Sequence, residues 1–167
     1  MRFRAIRSRA RWTVSAACLA ALALGAMARA ETAPDQAEYV TRLEAICKPN
    51  VEATQRAVRG LRSNVQRERL TVAAGQLSRA RRIFDRTVGA ISAVPRPPAD
   101  RTQLAKWFSY LRLQESYLGR AAAALKARRI VSYQHNAVRF VHTGNLASDV
   151  VISYGFNYCR FKFSRFS

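Results

Sequence analysis

The sequence predicts an all-α protein, a four-helix and mostly antiparallel bundle with an aromatic C-terminal tail. Three observations predict this fold. Apolar residues recur every three or four positions through four long segments, and short breaks separate those segments. Two cysteines follow residue 30, Cys47 and Cys159, and one disulfide between them would close the chain. The length of 167 residues fits a single domain.

The first thirty residues are predicted to be a secretory signal peptide. Five arginines precede an apolar run over residues 13–27, and Ala28-Arg29-Ala30 provides an A-x-A cleavage site. The run is shorter than the ~20 residues of a spanning helix, which disfavours a retained anchor. A lipid anchor on Cys18 is disfavoured because the apolar run continues past it. We therefore expect an exported, extracytoplasmic protein, secreted or envelope-associated, whose single helical domain is residues 31–167.

The first helix is predicted over residues 36–62. Asp35 is the expected N-cap, with Glu38 three positions on as the second member of a capping-box pair. Pro49 lies inside the segment without shifting the register of the apolar face, which favours a kink over a helix end. That face consists of Tyr39, Leu43, Cys47, Val51, Thr54, Val58 and Leu61.

The second and third helices meet at a proline-rich break. The second is predicted over residues 67–93 and ends at residues 94–98, because prolines this dense cannot continue a helix. Asp100 is expected to cap the third, which continues to about Arg128. Its leucines recur every seven residues, the spacing of a bundle seam. These leucines are Leu104, Leu111, Leu118 and Leu125, with Trp107, Phe108, Ala121 and Ala122 between them.

The fourth helix is predicted over residues 130–154, with Gly155 as its C-terminal cap. Its apolar face consists of Tyr133, Ala137, Phe140, Val141, Gly144, Ala147, Val151 and Tyr154. The aromatic tail that follows is expected to pack against the first helix beside the disulfide, and insertion into a membrane surface is the alternative. The tail aromatics are Phe156, Tyr158, Phe161, Phe163 and Phe166.

The cysteine pair is interpreted as a structural disulfide. Cys47 and Cys159 are too far apart in sequence for a C-x-x-C redox motif, and two thiols are too few for a structural zinc site. An exported context favours their oxidation.

The charge predicts an affinity for polyanions. Residues 31–167 hold 23 basic and ten acidic residues, a formal charge of +13, which would attract anionic cell-wall polymers or lipid surfaces. Compositional bias is the competing explanation, because arginine outnumbers lysine by 25 to 4. Nucleic acid is disfavoured as a partner by export. The candidate anion-binding residues are Arg59, Arg62, Arg67, Arg69, Arg79, Arg81, Arg82 and Arg86.

A second class of function would use a polar site between the third and fourth helices. Glu115 lies on the shoulder of the leucine seam, and a partly buried carboxylate needs a partner, for which His142, Arg139 and Asn145 on the fourth helix are the candidates. A structural hydrogen bond between the two helices is the favoured interpretation, and a site formed by Glu115 and His142 is the alternative. Such an interhelix site could hold a small ligand or metal. No metal ligand set is predicted, because His135 and His142 are two helical turns apart and cannot share one ion by themselves.

The sequence contains no catalytic motif. No serine lies in a G-x-S-x-G context, and no glycine-rich phosphate loop is present. A non-enzymatic module without a cofactor is therefore expected.

Four stretches resemble an uncharacterised group of exported α-helical proteins from GC-rich bacteria. They are residues 39–47, residues 94–100 with Lys106-Trp107, residues 142–146 and residues 154–161. The resemblance spans nearly all of the mature chain. Since the group has no assigned function, it implies the architecture and no mechanism.

Overall fold

The computed structural model describes residues 35–161. The predicted signal peptide lies outside these residues, as do Phe163 and Phe166 of the predicted tail. The described residues form helices and no strand, which confirms the all-α prediction. The helices are α1 Gln36–Val58, α2 Leu61–Gln66, α3 Leu70–Ser92, α4 Arg101–Lys126 and α5 Ile130–Val150, with 3-10 turns at Pro98–Asp100 and Ile152–Tyr154.

The four long helices pack in the order of the chain. α3 lies between α1 and α4, and α4 lies between α3 and α5. Short connections make successive helices antiparallel, as predicted. The C-terminal end of α1, the short α2, the start of α3 and the α4–α5 turn therefore meet at one end of the bundle. The disulfide lies towards the other end.

The start of α1 has the N-cap that the sequence predicted at Asp35, whereas Glu38, the predicted second member of a capping box, pairs with another residue. The Asp35 side chain accepts a 2.7 Å hydrogen bond from the backbone N–H of Glu38, which satisfies one of the free donors of the first turn. The Glu38 side chain pairs with Arg42 one turn further on. α1 continues through Pro49, in agreement with the unbroken register of its apolar face.

The predicted first helix is too long at its C-terminal end. Gly60 has a φ of 76°, a left-handed conformation that ends α1 at Val58 and starts the separate α2. Glu68 adopts a left-handed φ of 55° before α3, so that helix begins at Leu70 instead of residue 67. The connection between α1 and α3 thus contains a short helix, α2, with a turn on each side. The periodicity alone predicted a simple break there.

The leucine seam of α4 forms the centre of the core. Leu104, Leu111 and Leu125 are fully buried and Leu118 is nearly so, which confirms the seven-residue pattern. Two apolar clusters share this seam. One, toward the disulfide, includes Trp107 and Ile91, and the other, toward α2, is built from smaller residues such as Ala73.

The C-terminal segment, residues 155–161, occupies the space between the two outer helices. Within the described residues, α1 and α5 make few direct helix-to-helix contacts. The Glu44 carboxylate on α1 accepts hydrogen bonds from the backbone N–H groups of Tyr158 and Cys159, each 3.0 Å long. On the other side, the Ser148 hydroxyl of α5 donates to the Arg160 carbonyl at 2.7 Å. The segment therefore joins α1 to α5.

Aromatic packing and the disulfide fix this segment in place. The Phe156 ring stacks on Trp107 of α4 at 5.6 Å, and the Phe161 ring meets Phe84 of α3 edge-on at 5.3 Å. Cys159 forms the predicted disulfide with Cys47 of α1. The described part of the aromatic tail thus packs beside the disulfide, which is the first of the two arrangements considered for it.

Replacing both cysteines by serine should lower the free energy of unfolding by roughly 4–5 kcal/mol. The bridge closes a loop of 112 residues, and the chain-entropy model assigns about this stabilisation to a loop of that length. Denaturant unfolding of the oxidised protein and of the double variant measures the difference. Equal unfolding midpoints would contradict this, because they would show that removing the bridge does not raise the conformational entropy of the unfolded chain enough to lower stability.

Candidate functional site

The structure divides the eight candidate arginines into two groups, although all eight are exposed. Four lie around α2, at the junction between α1 and α3, namely Arg59, Arg62, Arg67 and Arg69. The other four lie along the outer face of α3, namely Arg79, Arg81, Arg82 and Arg86. The sequence predicted one basic face, whereas the fold separates these residues into an end and a side.

The α2 end of the bundle is the more strongly charged surface. Arg56 in the last turn of α1 and three bases of the α4–α5 turn join the four arginines around α2 there, and all eight are exposed. Residues 56–69 and 126–130 include one acidic side chain, Glu68, so the formal charge of this end is +7. We call it the basic end, and its bases are Arg56, Arg59, Arg62, Arg67, Arg69, Lys126, Arg128 and Arg129.

The opposite end carries a balanced set of charges. Carboxylates cluster there at helix starts and ends, among them Asp35, Asp100 and Asp149. Arg96 and Arg101 lie near them. The excess positive charge of the domain is therefore not evenly distributed, and the basic end holds about half of the +13.

Exposed valines accompany the charge at the basic end. Val72 in the first turn of α3 is 52% exposed, and Val131 in the first turn of α5 is 79% exposed. A cationic surface with apolar side chains beside the charges suits the boundary between water and a lipid head-group layer.

Glu115 pairs with α3 and not with α5. Its carboxylate accepts hydrogen bonds of 3.0 and 3.2 Å from the Arg81 guanidinium. Gly119 leaves room for this contact, since a Cβ there would lie 3.1 Å from Nε of Arg81. His142 is exposed on α5. Among residues 35–161 no hydrogen bond or ion pair joins Glu115 to His142, so the predicted interhelix polar site is not assembled.

The buried polar contact between α4 and α5 involves a residue that sequence reasoning missed. Gln114 is fully buried in the leucine seam, and its Nε2 lies 3.4 Å from the Phe140 carbonyl of α5. Its Oε1 has no hydrogen-bond partner in the described part of the chain. The position follows Leu111 by three and Trp107 by seven, so the helical period placed it in the core. That spacing is the one sequence signal that could have identified Gln114 as a core residue, since glutamine is mostly exposed in proteins.

Metal-ion ligation finds no geometric support in the described residues. No group of three or more His, Cys, Asp or Glu side chains within residues 35–161 is arranged to hold a metal ion. His135 and His142 are both exposed. In the same range, no helix combines the length and the apolar character that crossing a membrane requires.

An apolar pocket of about 150 Å³ opens between α1 and α5. The C-terminal segment bounds it at Phe161, and α3 and α4 form its floor with residues such as Leu77 and Ala121. Toward the basic end, Val58 and Leu61 lie in its wall. Within residues 35–161, the C-terminal segment fills the gap between the outer helices near the disulfide, and the pocket is the part of the gap that these residues leave unfilled.

A buried tyrosine pair lies at the disulfide end. The rings of Tyr39 and Tyr154 meet edge-on with centroids 6.4 Å apart. Burial raises the pKa of Tyr39 to about 12, against a smaller opposing effect of Arg96. Burial, supported by the Asp100 carboxylate, also raises the pKa of Tyr154. Both hydroxyls are held in their neutral form, so neither is a base at ordinary pH.

Stability should fall as the pH rises from 10 to 12. In this range the unfolded chain ionises Tyr39 while the folded protein keeps the proton, so the unfolded state is favoured increasingly. The loss attributable to Tyr39 is on the order of 2–3 kcal/mol, at about 1.4 kcal/mol per unit of pKa. Denaturant unfolding of Tyr39→Phe should show a correspondingly weaker pH dependence. Tyr110→Phe, at a half-exposed position, is the control, and identical pH profiles for both variants would contradict the assignment.

Comparisons with protein-family models, with curated proteins and with solved structures found no match for this chain. The resemblance to exported helical proteins therefore stays a prediction. Two features of the described residues bear on function, the basic end and the apolar pocket.

Proposed function

We propose that this protein is a non-enzymatic envelope module that associates with anionic lipid surfaces through its basic end. The observation that carries the proposal is the segregation of charge, with eight exposed bases and one acid at one end of the bundle. Basic residues near an anionic membrane surface contribute about 1 kcal/mol each. A formal charge of +7 concentrated on one end is therefore sufficient for binding at moderate ionic strength.

Two further features favour lipid over an anionic wall polymer. Val72 and Val131 are exposed among the charges, and apolar side chains gain free energy in a head-group layer but not on a hydrated polymer. The exposed bases also lie at one end of the helical bundle and not along its length, an arrangement that suits a flat surface better than an extended polymer.

The competing explanation, compositional bias, predicts a different distribution. Bias alone would scatter the arginines over all exposed positions. At α3 the scattered pattern is present, since Arg81 is neutralised by Glu115 and Asp85 lies on the same helix. At the basic end the arginines are not scattered, since eight bases lie there with one acid. The side of α3 is therefore left out of the proposed surface, and it provides a matched control.

Replacing Arg59, Arg62, Arg67 and Arg69 by glutamine should nearly abolish binding to anionic vesicles. At about 1 kcal/mol per residue, the four changes weaken partitioning by on the order of a thousandfold at low ionic strength. The measurement is co-sedimentation with vesicles of phosphatidylglycerol and phosphatidylcholine, at low and high salt. Wild-type binding should also decrease steeply with salt, because exposed charges are screened.

The control variant replaces Arg79, Arg82, Arg86 and Arg112 by glutamine. It removes the same net charge from exposed positions outside the basic end. A loss of binding equal to that of the first variant would show that total charge acts, without a dedicated surface. Wild-type protein that ignores the vesicles but sediments with cell-wall material would replace the lipid by an anionic polymer as partner.

A further inference from the structure

Within residues 35–161, two apolar stripes that the sequence predicts to be buried have no helix packed on them. On α1, Thr54 and Val58 continue the face whose earlier residues are fully buried, yet both are half-exposed. On α5, Tyr133, Ala137 and Val141 are half-exposed or exposed, whereas Ala147 of the same helix is buried. All five line the pocket. The pocket is thus the place where, among the described residues, the gap between α1 and α5 is not filled.

Three polar side chains of the pocket wall donate hydrogen bonds to backbone carbonyls of the protein. Nδ2 of Asn50 donates to the Ile46 carbonyl at 2.7 Å. The hydroxyls of Thr54 and Thr87 donate to carbonyls one turn earlier on their own helices, at 2.9 and 2.8 Å. The hydroxyl protons of these two threonines are therefore engaged within their own helices. An occupant without polar groups leaves every one of these hydrogen bonds intact.

The size and lining of the pocket suit a hydrocarbon. An engineered cavity of about 150 Å³ with an apolar lining in another protein stays dry and binds benzene. The pocket found here has the same volume. Wall atoms that face a void lose dispersion contacts, so a hydrocarbon that enters gains those contacts in addition to leaving water.

Charge lies at one end of this pocket. The wall residues Val58 and Leu61 are sequence neighbours of Arg59 and Arg62, and Tyr133 lies one helical turn from Arg129. All three arginines belong to the basic end. A chain that enters the pocket from this side would leave its head group among guanidinium groups.

We propose that the pocket between α1 and α5 binds the alkyl chain of an anionic amphiphile, with the anionic head group at the basic end. The hydrocarbon part of this assignment is independent of the proposed function, and the placement of the head group rests on it. The chain can come from a free fatty acid or from a lipid of the membrane surface.

The first experiment is equilibrium dialysis of the full mature protein against decanoate at monomeric concentrations, without vesicles. We expect saturable binding at one site per chain, and weaker binding of 1-decanol, which has the same chain and no charge. Butyrate should not bind measurably, because each methylene that stays out of the pocket costs a factor of about four. Since no surface is present, this result is separate from the fate of the vesicle experiment.

Filling the pocket should remove decanoate binding. Ala137→Trp on α5 and Thr54→Leu on α1 add side-chain volume from opposite walls, and each should weaken binding by about tenfold or more, as expected if two methylenes are displaced. Val138→Trp is the matched control, since Val138 is 69% exposed and lies outside the pocket. Thermal unfolding checks that each variant is folded. Because two filling variants are tested, one of them still gives a result if the other does not fold.

The vesicle-bound fraction of the same variants, measured on anionic vesicles at high salt, distinguishes the two sources of the alkyl chain. If membrane lipid supplies the chain, wild-type protein keeps a salt-resistant bound fraction that Ala137→Trp loses. If a free fatty acid supplies it, both proteins leave the vesicles alike.

Three results would overturn the proposal. One is the absence of saturable decanoate binding, and another is binding that both filling variants leave unchanged. The third is binding that appears only after Phe163 and Phe166 are replaced by serine, which would identify the chain's own last residues as the occupant.

Discussion

The attachment of residues 155–161 between α1 and α5 is the constraint on which the other features of this bundle depend. The Cys47–Cys159 bridge, the Glu44 carboxylate and the Ser148 hydroxyl hold the segment on both sides. Glu44 satisfies two backbone N–H groups of a segment that has no helix or strand partner for them. With the gap filled in this way, α1 and α5 need not touch, and the disulfide end can bury the large rings of Trp107 and Phe156.

The same constraint accounts for the unequal halves of the molecule. Near the disulfide, the core consists of aromatic and branched side chains that pack around the segment. Toward α2 it consists of alanines and leucines, and among the described residues Phe161 is the last of the segment to line the pocket. The pocket adjoins the end of the bundle where the bases collect, so the apolar and the charged features lie next to each other because of the topology.

The two turns that flank α2 explain how the basic end is assembled. Gly60 and Glu68 both adopt left-handed φ values, and the two turns fold a short helix across the end of the bundle. Four arginines on this connection are thereby brought to one surface with those of the α4–α5 turn. A straight connection would have placed some of them on the sides of α1 and α3. On the side of α3, by contrast, Arg81 is paired with an acid, Glu115.

By itself the sequence determined the four long helices apart from some of their ends, the leucine seam, the N-cap at Asp35 and the disulfide, because each depends on local spacing or on there being one available partner. Periodicity could not show that Gly60 ends α1, since a glycine is tolerated within a helix as well as after it. Nor could it show that the apolar stripes at Val58 and Ala137 face an open pocket, because a stripe predicts burial without naming what covers it. Tertiary structure alone decided these points, together with the pairing of Glu115 with Arg81 and the gathering of distant arginines at one end. All of them depend on which helices become neighbours, and that is set by the packing of the whole chain.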